Sequence, residues 1–292
     1  MKIINTKLLI FLFLFIYKGE LFSQELERPF ILAKSSERNQ ILDKIKTKPW
    51  ANNIYTTLKS NTDKQVDEFY KNPITYLKNL PFNWAEAKKN EFPPFLKTDH
   101  IENGKHRNLD NATDKEWKPA ALLIENLQIA LDCGYLYYLT QDEKYAYVAS
   151  SILYSFTKSV QKSKMSDWKG RGGLLFPYDG FREVRVIGYR LPLIYDFIAT
   201  YLKEDGKAFD IIKNQKVSFP IDEVQNVFKI YANITVNYGQ TGSNHPVLEA
   251  PSLVYNALGL DDEKEREKWL SYFLSESTQN QDALPVMAKN YK

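Results

Sequence analysis

The sequence predicts an all-α fold, an incomplete α/α toroid built of antiparallel helical hairpins. Three observations predict it. Apolar residues recur at helical spacing in successive segments from Lys118 to Leu274, convincing strand patterns are absent, and short turns join neighbouring segments, which places them antiparallel. No signature recurs at a fixed short period, so this is not a tandem helical repeat. Periodicity alone leaves an irregular helical bundle open.

The chain starts with a basic stretch, Lys2 and Lys7, followed by an apolar run from Leu8 to Tyr17 and the polar Lys18-Gly19-Glu20. That run is too short to span a bilayer and reads as a signal peptide over residues 1–23, with a periplasmic or secreted product. The remainder, 24–292, is long enough for one large domain. Signal removal takes three lysines and one glutamate from 39 basic and 36 acidic residues, leaving a net charge near +1. Such a balance gives no footprint for nucleic acid, and no membrane association is expected after signal removal. Cys133, the only cysteine, sits in a helical stripe as a buried free thiol. The 19 Tyr, 17 Phe and 5 Trp supply core, and in an exported protein they also suit stacking on sugar faces.

Ser35 or Ser36 caps a first helix reaching Lys46, and Pro49 starts a second running toward Phe69. Asn72 to Trp117, rich in Pro and aromatics, reads as a long packed loop, either a covering flap or one wall of a cleft. Next comes a helix from Lys118 to near Thr140, with Leu123, Leu127, Leu131 and Tyr135 in its stripe. Asp142 opens the following helix. After a glycine-rich turn, Gly170–Gly180, a helix from Phe181 to Lys203 is expected to kink at Pro192. Another helix begins at Pro220. Pro246 opens the next, which Gly259 closes as the residue after its end, and Asp261 caps the last. The segment 280–292 has no terminal helix, so the domain is expected to be truncated at its C-terminal end.

The stretch Gly242-Ser243-Asn244-His245-Pro246 carries the candidate chemistry. Asn244 and His245 stand at a helix mouth, where unpaired N–H groups and the dipole favour an anion. An amide donor and an imidazole there can hold a carboxylate and remove a proton beside it; the plain alternative is a cap and a surface histidine. Arg182, Arg185 and Tyr189 share one face at i, i+3, i+7, and Arg forks suit carboxylate or sulfate. Internal salt bridges to Glu183 or Asp196 are the competing reading. Glu249, one turn after His245, either orients the imidazole or faces solvent. Trp84, Trp117 and Trp168 are candidate sugar platforms or core. His100 and His106 match no metal spacing, and no metal or other cofactor is expected.

Taken together, Glu27-Arg28-Pro29-Phe30-Ile31, the helix of Arg182, Arg185, Tyr189 and Arg190, and Gly242-Ser243-Asn244-His245-Pro246 with Glu249-Ala250-Pro251 resemble the N-terminal helical toroid of heparinase II/III-like polysaccharide lyases, including the oligoalginate lyases. The resemblance covers most of residues 28–280. It implies β-elimination on a uronate-containing acidic polysaccharide, alginate or glycosaminoglycan-like. Asn244 would neutralise the carboxylate and His245 take the α-proton. A Tyr beyond this chain would be the acid, and a C-terminal β-sandwich domain would follow in the full-length protein. Arg182, Arg185, Tyr189, Glu249 and Trp84 are the expected substrate contacts. The resemblance implies that the chain alone is inactive or incomplete. Two other readings stand beside it: a carbohydrate-binding helical domain without chemistry, and a glycoside hydrolase on the same toroid, which needs paired carboxylates across a cleft.

Overall fold

In the computed structural model, residues 26–78, 80, 101–102, 105–106, 114–163, 173–175, 180–238, 245–275 and 284 are described. The side chains of 101–102, 105–106, 114–122, 181–182, 238 and 245–246 lie outside that description.

A 3-10 turn, Ser35–Glu37, leads into α1 (Arg38–Thr47); α2 (Pro49–Lys71) and the short α3 (Pro73–Lys78) follow. A two-stranded ribbon pairs β1 (Ile101–Glu102) with β2 (Lys105–His106). Three hairpins come next. Helix α4 (Asp114–Thr140) is followed by α5 (Glu143–Lys162). The short α6 (Gly180–Glu183), a π-helical turn (Val184–Gly188) and α7 (Arg190–Lys203) lead through β3 (Lys207–Asp210) and β4 (Gln215–Ser218) to α8 (Ile221–Tyr238). The last hairpin is α9 (His245–Gly259) and α10 (Glu263–Leu274).

The first members of the three hairpins run parallel. Gly134 of α4 meets Phe197 and Ile194 of α7, and one turn further on Tyr137 meets Tyr201. Gly188 meets Ser252 of α9, and four residues on, Pro192 meets Gly259. The N-termini of α4, the α6–α7 segment and α9 therefore share one end of the row, and their C-termini share the other. The main apolar core runs through α2, the hairpins and β3 and includes Phe69, Leu127, Phe156, Ile194 and Phe228, and a smaller cluster joins Ala33, Tyr138, Leu139 and Phe197.

The tyrosine excess is largely core, and four of the buried hydroxyls donate to acids. Tyr145 donates to Asp63 (2.5 Å), Tyr154 to Asp210 (2.8 Å), Tyr195 to Asp261 (2.5 Å) and Tyr231 to Glu183 (2.8 Å). A buried hydroxyl without a partner would be costly, and a bond to a charged acceptor is stronger than a neutral one. Cys133 is a buried free thiol, and burial pushes its pKa up.

Two N-terminal arginines close the C-terminal end of the row. Arg38 donates to the carbonyls of Tyr138 and Leu139, the last turn of α4. Buried Arg28 bonds Asp196 (2.8 Å), Asp261 (2.9 Å) and the carbonyls of Leu258, Gly259 and Leu260 at the end of α9. Cations at these helix ends complement the negative pole of each dipole and satisfy orphan carbonyls. Asp196 also accepts the N–H groups of Phe30 and Ile31, so the Arg28–Ile31 segment is a clamp.

The structure corrects several sequence expectations. Helix α4 starts at Asp114, so Trp117 lies on a helix and not in the preceding loop. Asp262, not Asp261, caps α10 by accepting the Glu265 N–H; Asp261 is held by Arg28 and Tyr195. Gly259 belongs to α9, and a Cβ there would meet Pro192 (2.7 Å) and the Phe228 ring (3.1 Å), so its role is close packing. The β3–β4 ribbon is a strand pair where the sequence shows no convincing strand pattern. Asp210 builds its bend by accepting the N–H groups of Ile212 and Lys213. Segment 280–283, residues 285–292 and the signal-like residues 1–23 lie outside the described residues, and among the described residues no helix is long and apolar enough to cross a membrane.

Candidate functional site

The expected single helix from Phe181 to Lys203 is interrupted at Val184–Gly188, before Pro192. An α-helix would bond the Gly188 carbonyl to the N–H of residue 192, and proline has none. Asn256 of α9 donates its side-chain amide to that carbonyl instead, at 2.9 Å. Gly188 makes this approach feasible, because a Cβ there would lie 2.4 Å from the Ser252 hydroxyl. The widened turn also changes which side chains share a face. Arg185, Val186, Tyr189 and Arg190 emerge half-buried together, while Val184, Ile187 and Leu191 stay in the core. Single π turns inside helices often mark functional sites.

On α9, Leu248, Pro251 and Tyr255 form the matching stripe at i, i+3, i+7. Leu248 is 48 % exposed. The Tyr189 and Tyr255 rings join the two helices, with centroids 6.5 Å apart and planes at 53°. The result is a partly exposed surface of two aromatic rings, apolar side chains and guanidinium groups on parallel helices.

Arg190 distinguishes this surface. Its guanidinium lies over the Tyr189 ring at 4.5 Å, and Nη1 donates to the Val186 carbonyl. Its Nε is buried without a hydrogen-bond partner among the described residues. Burial holds its pKa below the ordinary arginine value, and no carboxylate among the described residues opposes that shift. Arg28, by contrast, faces two carboxylates and three carbonyls. A desolvated guanidinium without a counter-charge is unfavourable by itself and favourable once an anion arrives. Sequence reasoning gave Arg190 no role. The available signal was the absence of any acid within one turn, since residues 186, 187, 193 and 194 are Val, Ile, Leu and Ile.

Of the residues selected from sequence, Arg185 and Tyr189 are on this surface. Arg182 lies on α6 with its side chain outside the described residues. The Asp196 expected as a salt-bridge partner for these arginines is taken by Arg28. Glu249 is fully buried on α9, which removes the solvent-facing reading. His245 is the first residue of α9, one position earlier than Pro246 was expected to start it, and its side chain is outside the description. Asn244, Trp84 and Trp168 lie outside the described residues, as do Phe82 and most of the presumed cleft wall.

Beneath the surface, buried Glu183 accepts the Tyr231 hydroxyl (2.8 Å) and the Leu175 N–H (2.8 Å). A Cβ on Gly173 would lie 2.1 Å from its Oε2. Residues 173–175 are thereby held against the root of the π turn. This explains glycine at position 173 by close approach and not by phosphate binding. Among the described residues no cluster of three His, Cys, Asp or Glu side chains is arranged to hold a metal ion.

No family model and no solved structure matches the chain. The chain is 27% identical over 280 residues to an endo-acting ulvan lyase of Formosa agariphila, an alignment covering 91% of this chain and 31% of that protein. It therefore spans about a third of the length of the curated relative to which it is similar.

Proposed function

We propose that this chain is the helical part of a polysaccharide lyase that cleaves a uronate-containing acidic polysaccharide by β-elimination, with ulvan as the first substrate to try. The observation that carries the reading is Arg190, a desolvated guanidinium without a carboxylate partner among the described residues, beside Tyr189, Tyr255 and Arg185. Similarity to an endo-acting ulvan lyase supports the substrate class. The parallel N-termini of α4, the α6–α7 segment and α9 point to one end, and the positive poles of their dipoles suit a polyanion.

The chemistry has three requirements: neutralising the carboxylate, removing the α-proton, and protonating the leaving oxygen. In this reading Asn244 neutralises, His245 is the base, and the Arg185–Tyr189–Arg190 surface holds neighbouring sugars. Arg182 and Trp84 complete the proposed substrate shell, and Glu249, buried on α9, acts through its neighbours and not by touching the sugar. The heparinase II/III-like relationship, export through residues 1–23 and a following β-sandwich domain belong to the same proposal. The test is incubation of the full-length protein with ulvan, alginate, heparan sulfate and hyaluronan, following the absorbance of unsaturated uronate ends. Product from one polymer supports the lyase reading. Retention of a polymer without product points to a binding domain, and new reducing ends without unsaturation point to a hydrolase.

A further inference from the structure

A cavity of about 260 Å³ lies at the opposite end of the parallel row, between the end of α2, the start of α5, the end of α7 and the β3–β4 ribbon. Its walls are fixed. The Tyr201 hydroxyl bonds both the N–H and the carbonyl of Lys207, each at 3.0 Å, and Ser150 donates to the same carbonyl at 2.6 Å. Phe69 packs edge-on against both Tyr70 and Tyr147. Tyr70 is 48 % exposed, so one ring face is on offer at the mouth. Its centroid is 6.1 Å from that of Tyr147.

The charges are arranged unevenly. Lys207 pairs with Asp205 at 2.6 Å, and Lys144 lies 3.5 Å from Asp142 and 3.7 Å from Asp63. Lys216 makes no ion pair among the described residues and sits over the Tyr147 ring at 4.6 Å. Glu143 and Glu204 also line the cavity without an ion pair among the described residues. One unpaired ammonium, two carboxylates able to accept hydroxyl protons and an exposed ring form a site for a hydroxyl-rich ligand with a single negative charge. At this volume, below the ~300–1,000 Å³ of drug-sized sites, it admits about one sugar unit.

We propose that this cavity is a second, non-catalytic sugar-binding site, taking one uronate or sulfated unit of the polysaccharide and raising the protein's hold on the polymer. The identity of that polymer rests on the function proposed above. A chain held at both ends of the row gains avidity from effective concentration, without any new contact at the reacting end.

The test compares the full-length wild type with Tyr70→Ala, Lys216→Ala and Arg190→Gln. It measures retardation in gels containing ulvan, and turnover of a short ulvan oligosaccharide that cannot bridge both ends. Tyr70 and Lys216 are exposed enough to change without loss of fold, which a melting curve checks. The expected result is at least a 5-fold weaker retardation for Tyr70→Ala and Lys216→Ala, with oligosaccharide turnover unchanged. Retardation that falls only with Arg190→Gln overturns the second site and leaves the lyase reading standing. Weaker retardation in the Tyr70 and Lys216 variants, with no product from any protein, supports the second site and removes the lyase reading. Absence of retardation in the wild type overturns the second site.

Discussion

Asn256 supplies to Gly188 the hydrogen bond that Pro192 cannot, across 68 residues of sequence. The bond ties the π turn to α9 at the place where Gly188 packs against Ser252. Asn256 also donates to the Ser252 carbonyl (2.7 Å), which ties the amide to its own helix and fixes its direction.

Asn256→Ala should destabilise the fold by about 1–3 kcal/mol, because it leaves a buried carbonyl unsatisfied. Pro192→Ala restores an N–H at the α-helical position. In that background the cost of Asn256→Ala should shrink, and a double-mutant cycle in urea should return a coupling of about 0.5–3 kcal/mol. Additive losses would show that Asn256 acts only within α9.

Arg28→Met tests the clamp and carries a pH signature. Burial holds the Asp196 carboxyl above the ordinary range, and the Ile31 N–H, the Arg28 guanidinium and the Phe30 N–H bring it only part of the way back. A carboxyl whose pKa is higher folded than unfolded stabilises fully below its unfolded value of ~3.9, and that contribution is lost as pH rises through the folded pKa. Removing Arg28 raises the folded pKa further and extends the loss. The deficit of Arg28→Met against wild type should therefore be largest near neutral pH, at roughly 3–5 kcal/mol, and shrink toward pH 4. Urea midpoints at several pH values measure it. A deficit independent of pH would assign the role of Arg28 to the α9 carbonyls alone.

These two arrangements show why the fold was more legible than the site. The stripes of Leu123, Leu127 and Leu131, and of Val148, Ile152 and Phe156, are local and regular, so their helices were readable. Asp142 was readable as the start of its helix for the same reason; it stands one position before the first helical residue and caps it by accepting the Lys144 N–H at 3.1 Å. The Arg28 clamp needs Asp196 and residues 258–261, and the π turn needs Asn256, so no local window contains their causes. The shared surface of Arg185 and Tyr189 was visible from spacing, but an ideal α-helix sets Arg190 about 100° away from Tyr189. Only the π turn with its capping amide brings Arg190 out beside them.

Arg190→Gln separates function from stability. Removing a desolvated charge that has no carboxylate partner among the described residues should leave the unfolding midpoint nearly unchanged or raise it, within about 0.5 kcal/mol. Polymer affinity should fall by roughly 10- to 100-fold, the worth of about 1.5–3 kcal/mol for a hydrogen bond to a charged group. The wild-type advantage should narrow as salt rises. A large loss of stability with unchanged affinity would make Arg190 structural.

The sharpest prediction concerns Asn244 and His245 in the full-length protein. In β-elimination, negative charge builds on the uronate carboxylate as the α-proton leaves. A donor aimed at that oxygen therefore binds the transition state more tightly than the ground state. Asn244→Ala should lower turnover roughly 100- to 1000-fold while polymer binding changes little, since the surface of Arg185, Tyr189 and Arg190 remains. His245 must be neutral to accept the proton, so the wild-type rate should fall below the imidazole pKa, near ~6.5 when unperturbed. His245→Ala should remove that acidic limb along with most of the rate. Product release is followed by absorbance, and binding by gel retardation on the same preparations. Unchanged turnover in Asn244→Ala would sink the proposed site. A His245→Ala variant that keeps the acidic limb would assign the base to another residue.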